Sequence, residues 1–195
     1  MKNRYIAVIA LAVLSLHSYA QNIKWNNQNS PFAGTKETYA VSFSADGSKV
    51  FSGSECSPSY LRIFDFNTGN LLWDYKVNDT LMCIQGVRFS SDGQKAAAIE
   101  ELGNLLIFDY TTATPTWVST IPLGTGAAFS VNFSPDGYKV VIGNGNKKLM
   151  WYNVNGTQIR SIDAHLNYVM CTDWSKAEKI ASGGDDAKVK LWDTA

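Results

Sequence analysis

Short apolar segments recur along the chain, and polar turn residues interrupt them at regular intervals. The phrases FSADGSKV, FSSDGQKA and FSPDGYKV begin at Phe43, Phe89 and Phe133, and TDWSKAEKI continues the series with Trp174. The intervals between these aromatic residues are 46, 44 and 41 residues. Periods of this length are typical of repeat proteins in which each repeat is one supersecondary unit. The pattern therefore predicts four structural repeats.

Each phrase reads as the end of one strand, a tight turn and the start of the next strand. The segments YAVSFS, IQGVRFS, FSVNFS and VMCTDWS precede the turns, and KVFSGS, KAAAIE, KVVIGN and KIASGG follow them. Glycine supplies the positive φ of a tight turn, and an aspartate side chain bonds the turn backbone. The predicted hairpin-turn residues are Asp46, Gly47, Asp92, Gly93, Asp136 and Gly137.

A third strand follows in every repeat, as LRIFDF, LLIFDY, LMWYNV and VKLWDT, and an outer fourth strand is visible in GNLLWDYK. No helical periodicity appears after the first 20 residues. Four strands per repeat of about 44 residues predict an all-β fold, a β-propeller. We expect about four blades of four antiparallel strands each, near residues 37–76, 82–121, 126–162 and 165–195, and the chain can also be part of a larger propeller.

The fourth repeat has no segment for an outer strand after VKLWDT. Residues 22–30, which precede the first repeat, could supply that strand and close the ring. If they do not, the terminal blade presents an open edge, and open edges pair with other chains. Self-association through this edge is therefore a prediction of the sequence.

The first 20 residues have the pattern of a secretory signal. Lys2 and Arg4 precede an apolar run from Ile6 to Leu16, and a small residue, Ala20, provides the cleavage site. The run is shorter than the roughly 20 residues that span a bilayer. We therefore expect a signal peptide over residues 1–20, a secreted or otherwise extracytoplasmic protein over 21–195, and no membrane span after cleavage.

The charges and the cysteines exclude several classes of function. The formal net charge is zero and no basic run occurs, so nucleic acid is not an expected partner. Three cysteines, Cys56, Cys83 and Cys171, leave one thiol unpaired if two form a disulfide, and their pairing stays open. Because no CxxC occurs, zinc and thioredoxin-like chemistry are not indicated. We expect no metal, no cofactor and no catalytic residue.

Residues 164–193, AHLNYVMCTDWSKAEKIASGGDDAKVKLWD, resemble a repeat of the WD-repeat (beta-transducin-like) propeller family. Ala164-His165 stands at the family's Gly-His position, and Trp192-Asp193 at its Trp-Asp position. The three earlier repeats are similar in outline only, with Phe64-Asp65, Phe108-Asp109 and Tyr152-Asn153 at the Trp-Asp position. The resemblance covers essentially residues 37–195.

The resemblance implies a structural tetrad of hydrogen-bonded side chains that links the strands of one blade. Its members in this chain are His165, Ser182, Asp186 and Trp192. Serine, histidine and aspartate could also form a hydrolase triad. The tryptophan at the fourth position, and the lack of a GxSxG nucleophile elbow, favour the structural role. Because the first three repeats lack this set, we expect apolar packing alone to hold them.

A second resemblance points to an alternative function. FDFNTGNLLW, residues 64–73, is similar to the DxxTGxxxW phrase of quinone-dependent dehydrogenase propellers, and DYTTATPTW at 109–117 is a degenerate copy. The phrase describes a turn and a packing aromatic residue, and so it reports the fold more directly than a cofactor. A fragment of a quinoprotein-like propeller enzyme of the dehydrogenase type therefore remains the alternative.

The sequence favours a non-catalytic scaffold that binds a protein or peptide through its loops, because function in such folds resides in loops. Aromatic side chains anchor many interfaces. The candidate partner contacts are Tyr60, Trp117, Leu166, Asn167 and Tyr168. The sequons at Asn78 and Asn155 lie in predicted loops and are candidate glycosylation sites, whereas the sequon at Asn132 lies in a predicted strand.

Overall fold

The described part of the chain forms four antiparallel β-sheets. The computed structural model describes residues 37–54, 58–78, 83–112, 115–124 and 126–194. The predicted signal peptide and the predicted closing strand at 22–30 lie outside these residues. Each sheet is formed by strands that are consecutive in the chain. We call the sheets blades 1 to 4 in chain order.

The strands follow the predicted repeats. Blade 1 contains β1 Thr38–Phe43, β2 Lys49–Ser54, β3 Ser59–Asp65 and β4 Leu71–Asn78. Blade 2 contains β5 Ile84–Phe89, β6 Lys95–Glu100, β7 Asn104–Asp109 and β8 Thr116–Pro122. Blade 3 contains β9 Ala128–Phe133, β10 Lys139–Asn144, β11 Lys148–Asn153 and β12 Gln158–Asp163. Blade 4 contains β13 Val169–Trp174, β14 Lys179–Gly184 and β15 Val189–Asp193.

Blade 4 has three described strands, in agreement with the lack of an outer-strand segment in its repeat. Its sheet has the order β13-β14-β15, whereas the other three sheets have four strands each. The described part of the chain therefore provides no outer strand beside β15. The all-β class and the repeated sheets agree with the sequence prediction, while closure of the sheets into a propeller remains a prediction.

A shared hydrogen-bond pattern forms the turn between the first two strands of blades 1 to 3. In blade 1, Ser44 donates its hydroxyl to Asp46 Oδ1 at 2.6 Å, and the same Oδ1 accepts the amide of Ser48 at 3.0 Å. Gly47 has a φ of 70°, a value that glycine adopts without steric cost. Asp92 and Asp136 accept the equivalent bonds, and Gly93 and Gly137 have the equivalent positive φ. The predicted turn residues thus lie in these turns.

Apolar side chains fill the space between successive blades. The first strand of each later blade directs three buried side chains toward the blade before it, as blade 2 does with Ile84, Val87 and Phe89. The second and third strands of the earlier blade supply the opposite side, for example Phe51, Leu61 and Ile63. Equivalent clusters lie between blades 2 and 3 and between blades 3 and 4. Three interfaces of one design therefore hold the four blades together.

Glycine in the second strand allows the closest of these approaches. A Cβ at Gly53 would lie 2.3 Å from Cγ2 of Ile84, and a Cβ at Gly143 would lie 2.7 Å from Cγ1 of Val169. Each glycine therefore accepts the first buried side chain of the following blade. Between blades 2 and 3 the large and the small residue change places. Ile99 stands in the second strand where the other interfaces have glycine, and the first residue of the following blade is the small Ala128.

The expectation that apolar packing alone holds blades 1 to 3 is wrong, because side-chain hydrogen bonds also link strands within them, as Arg62 to Asp74 does in blade 1. Polar contacts also join neighbouring blades. Ser42 in β1 accepts the amide of Phe89 at 3.2 Å. Arg88 donates to Oδ1 of Asn132 at 2.9 Å, and the Asn132 amide donates in turn to the carbonyl of Thr172. All three contacts join the first strands of neighbouring blades. Each blade-to-blade interface therefore carries a polar link of its own composition.

Candidate functional site

The structure brings the four residues of the predicted tetrad together in blade 4. His165 lies in the connector between β12 and β13, Ser182 in β14, Asp186 in the turn after β14, and Trp192 in β15. His165 Nδ1 is 2.8 Å from Asp186 Oδ1, and His165 Nε2 is 2.8 Å from Ser182 Oγ. Trp192 donates its indole N–H to Ser182 Oγ at 2.8 Å. The chain of contacts thus links the connector to β14, to the turn after it and to β15.

The directions of these hydrogen bonds follow from the chemistry of each group. Ionised aspartate only accepts, so His165 Nδ1 carries the proton that it shares with Asp186. When His165 is neutral, Nε2 then accepts from the Ser182 hydroxyl, whose oxygen accepts from Trp192. Every polar atom of this chain of contacts has a partner, as a buried polar network requires.

Burial distinguishes this arrangement from a working hydrolase triad. Ser182 is 1% exposed, and its oxygen is already engaged by both His165 and Trp192. A nucleophilic serine needs space in which a substrate carbonyl can approach its oxygen. The conformation leaves no such approach. The contacts suit a role in fixing the connector to the blade.

Asp186 connects the tetrad to the backbone of the connector. Its Oδ2 accepts the amide of Leu166 at 2.9 Å, and Oδ1 accepts the amide of Lys188 at 3.2 Å. The Leu166 amide, with further contributions from His165 and Lys188, lowers the pKa of Asp186 from 3.8 to about 2 despite an opposing effect of burial. The carboxylate is therefore stabilised in its charged form in the folded protein.

This lowered pKa predicts an acid-sensitive contribution to stability. A carboxylate with a lower pKa in the folded state stabilises the fold above its unfolded pKa, and this contribution is lost as pH falls from about 4 to about 2. The difference in unfolding free energy between the wild type and Asp186→Asn should therefore shrink over that range. Urea unfolding at a series of pH values measures it. A difference that stays constant down to pH 2 would contradict the assignment, and Asp185→Asn serves as the neighbouring control.

Three of the candidate contact residues, Leu166, Asn167 and Tyr168, lie side by side in this connector. Leu166 is 74% exposed and Tyr168 is 46% exposed. The Tyr168 ring packs on Phe129 with ring centroids 5.7 Å apart, and Asn167 donates to Asp185 at 2.8 Å. We call these five residues the connector patch. Phe129 and Asp185 were not among the predicted contacts, although the paired Asp185-Asp186 in the sequence was a signal for one of them.

The other two candidate contacts lie elsewhere. Tyr60 in β3 is half-buried, and the guanidinium of Arg62 lies over its ring at 4.5 Å from the centroid. Trp117 in β8 pairs with Phe108 in β7, and its side chain lies outside the described residues. Neither joins the connector patch.

The sequon asparagines differ in their surroundings. Asn155 is exposed in the turn between β11 and β12, where its Oδ1 accepts the amide of Thr157 at 3.0 Å. Asn132 is buried between blades. The prediction of a loop at Asn78 is wrong, because Asn78 is the last residue of β4; its side chain lies outside the described residues. Of the two asparagines whose side chains are described, Asn155 lies at the surface, and glycosylation at Asn78 and Asn155 remains a prediction.

The cysteines differ in redox state. Cys83 is disulfide-bonded, whereas Cys171 in β13 is free and exposed. Cys56, the third cysteine of the sequence, lies outside the described residues. The described ranges contain no group of three or more histidine, cysteine or acidic residues that could hold a metal ion, and no helix in them is long and apolar enough to cross a membrane.

The four antiparallel β-sheets and the His-Ser-Asp-Trp network of the last sheet are consistent with WD-type blades. Residues 156–193 match the family model described as WD domain, G-beta repeat. This chain thus contains a WD repeat, and the resemblance to the WD-repeat family is confirmed.

Two relatives match this chain, one over a shorter segment than the other. Intraflagellar transport protein 122 homolog of Xenopus tropicalis is 30% identical over 84 residues, which are 41% of this chain and 7% of that protein. Echinoderm microtubule-associated protein-like 3 of Homo sapiens is 27% identical over 141 residues, which are 69% of this chain and 15% of that protein. The chain therefore spans a small fraction of the length of these relatives.

A solved structure supports the arrangement of the sheets. The crystal structure of the computationally designed Ika4 protein superimposes with a TM-score of 0.68, at 20% sequence identity, over 83% of this chain and 93% of that chain. At this identity the similarity shows a shared fold alone.

Proposed function

We propose that the protein is an exported, non-catalytic scaffold that binds a protein or peptide partner through the connector patch. The observation that carries this proposal is the exposure of Leu166 and Tyr168 on a connector that the tetrad fixes in place. A backbone segment held in one conformation loses little entropy on binding. The patch thus combines apolar contact area with a rigid support, as interface anchors do.

The WD repeat and the relatives support a role in protein interaction. One relative is named for intraflagellar transport and the other for association with microtubules, and these names describe those proteins. For this chain they favour protein partners over small-molecule chemistry. The environment of Ser182 also favours a non-catalytic role, because its oxygen is buried and accepts the indole N–H of Trp192.

Export is the second element of the proposal. The pattern of residues 1–20 supports it, and so does the disulfide at Cys83, because disulfides persist mainly in oxidising compartments. Self-association through the open edge of the terminal blade is a separate prediction, since it would use the backbone of an unpaired strand and not the connector patch.

Site-specific photo-cross-linking tests the patch. A photoreactive phenylalanine analogue at position 166 should give one discrete adduct in the host's extracytoplasmic fraction, and Tyr168→Ala should reduce the adduct at least tenfold. The same analogue at Ile159, an exposed apolar residue on β12, is the matched control and should give none. Equal adducts from both positions, or none from position 166, would overturn the assignment of the patch.

A further inference from the structure

The two ends of the blade array expose the faces that are buried at every interface inside it. The first, fourth and sixth residues of the first strand face the preceding blade and are buried in blades 2 to 4, as Ile84, Val87 and Phe89 are in blade 2. The same positions in blade 1 are Thr38, Val41 and Phe43, and all three are exposed. Val41 is 62% exposed and Phe43 is 60% exposed. We call these three residues the leading face.

At the opposite end of the array, blade 4 exposes the residues that face the following blade in blades 1 to 3. In blades 1 to 3, alternate residues of the second and third strands face the following blade, and the third-strand pairs are Leu61 and Ile63, Leu105 and Ile107, and Leu149 and Trp151. All six are at most 5% exposed. The equivalent residues of blade 4, Val189 and Leu191, are each 79% exposed. With Ala181 and Gly183, which lie beside them in β14, they form the trailing face.

The leading and trailing faces carry the same pair of residue types as two of the internal interfaces, a second-strand glycine and a β-branched residue. A second-strand glycine accepts a β-branched residue twice within the chain, at Gly53 with Ile84 and at Gly143 with Val169. The trailing face presents Gly183 at this position, and the leading face presents Thr38, which is also β-branched. Among the described residues, a Cβ at Gly183 would meet the Sγ of Cys171 alone within 4 Å. The near space at Gly183 is thus taken by the thiol of Cys171, 2.7 Å from that Cβ position in the same blade, and an incoming Thr38 requires this exposed side chain to rotate.

We propose that two copies of this chain assemble head to tail, with the trailing face of each copy packed on the leading face of the other. The contact is heterologous, and two such contacts related by a two-fold axis close a ring. The ring would contain twice the four blades of one chain, which lies within the range of about four to eight blades that propellers form. The interface is the fourth instance of one that the chain already forms three times. This inference goes beyond the proposed function, because the connector patch contributes no residue to either face.

The proposal predicts the mass of the full chain in solution and its response to charge. Light scattering coupled to size exclusion should give twice the mass of one chain. Leu191→Lys places a charge on the trailing face, and Val41→Glu places one on the leading face. Because both residues are exposed in the single chain, each variant should fold, and circular dichroism checks this. Each variant alone should weaken dimerisation at least tenfold, whereas Leu102→Lys, an exposed apolar residue in a turn, should leave it unchanged.

Mixing the two variants provides the decisive test. In a mixed pair, one interface brings the lysine introduced by Leu191→Lys against the glutamate introduced by Val41→Glu, and the other interface is wild type on both sides. The mixture should therefore recover the dimer mass, while neither variant alone does. A single-chain mass for the wild type overturns the proposal, and so does a mass that grows with concentration beyond two chains. Unchanged dimers in both face variants would equally overturn it, and none of these results depends on the cross-linking at position 166.

Discussion

Replacing Ser182 by alanine should lower the free energy of unfolding by about 2 to 4 kcal/mol. The substitution removes the hydroxyl that contacts both His165 Nε2 and the Trp192 indole N–H. Both groups would remain buried or partly buried without a partner, and leaving a buried polar group unsatisfied costs about 1 to 3 kcal/mol. Urea unfolding followed by tryptophan fluorescence measures the loss.

A matched control distinguishes the loss of the Ser182 hydrogen bonds from the general effect of replacing a strand serine by alanine. Ser161 lies exposed on β12, and Ser161→Ala should change the unfolding free energy by less than about 0.5 kcal/mol. If both variants lose the same free energy, the hydrogen bonds of the tetrad do not stabilise blade 4. The experiment also bears on the connector patch, because a loosened His165 should raise the mobility of Leu166 and Tyr168.

Gly143→Ala should destabilise the fold by about 2 to 3 kcal/mol, since the added methyl group meets a backbone atom that cannot rotate away. A Cβ at this position would lie 2.7 Å from Cγ1 of Val169 and 2.8 Å from its carbonyl oxygen. Overpacking of this kind forces the backbone of β13 away from β10, and such changes cost about 1 to 3 kcal/mol. The loss should appear as a lower urea midpoint with an unchanged slope.

Gly145 provides the control within the same hairpin. A Cβ there would be 3.4 Å from its nearest neighbour, the carbonyl oxygen of Ala127, which is an ordinary contact distance. Gly145→Ala should therefore be close to neutral, because it also reduces the entropy of the unfolded chain. Comparable losses in the two variants would show that the contact between Gly143 and Val169 is not what limits the approach of blades 3 and 4.

The repeated pattern of apolar residues was sufficient to predict the strands, because it reports local geometry and burial. The predicted turns at Asp46, Asp92 and Asp136 contain the expected bonds for the same reason. The fourth turn departs from the pattern. Glu178 occupies a left-handed conformation with a φ of 54°, at the place where the other turns have glycine. Its sequence, SKAEK, contains no glycine to announce this conformation.

The contacts between blades could not be predicted, because they join residues about 40 or more positions apart. Arg88 and Asn132 each stand between two apolar residues of their strand. This alternation is equally typical of side chains that face solvent, so the sequence does not reveal the bond between them. The partners become evident only when the first strands of neighbouring blades are placed side by side. In contrast, the tetrad residues could be selected because the family resemblance supplied their roles together, and the structure brings all four into contact.

The polar links between blades also fix the order of the blades. Ser42 meets a backbone amide, Arg88 meets an asparagine, and Asn132 meets Thr172, so no two of these junctions use the same pair of groups. Exchanging blade 2 for blade 3 would leave a guanidinium and an amide facing the wrong neighbours. The blades resemble one another in shape but are not interchangeable modules, and a gene with blades 2 and 3 exchanged would need new residues at the altered junctions.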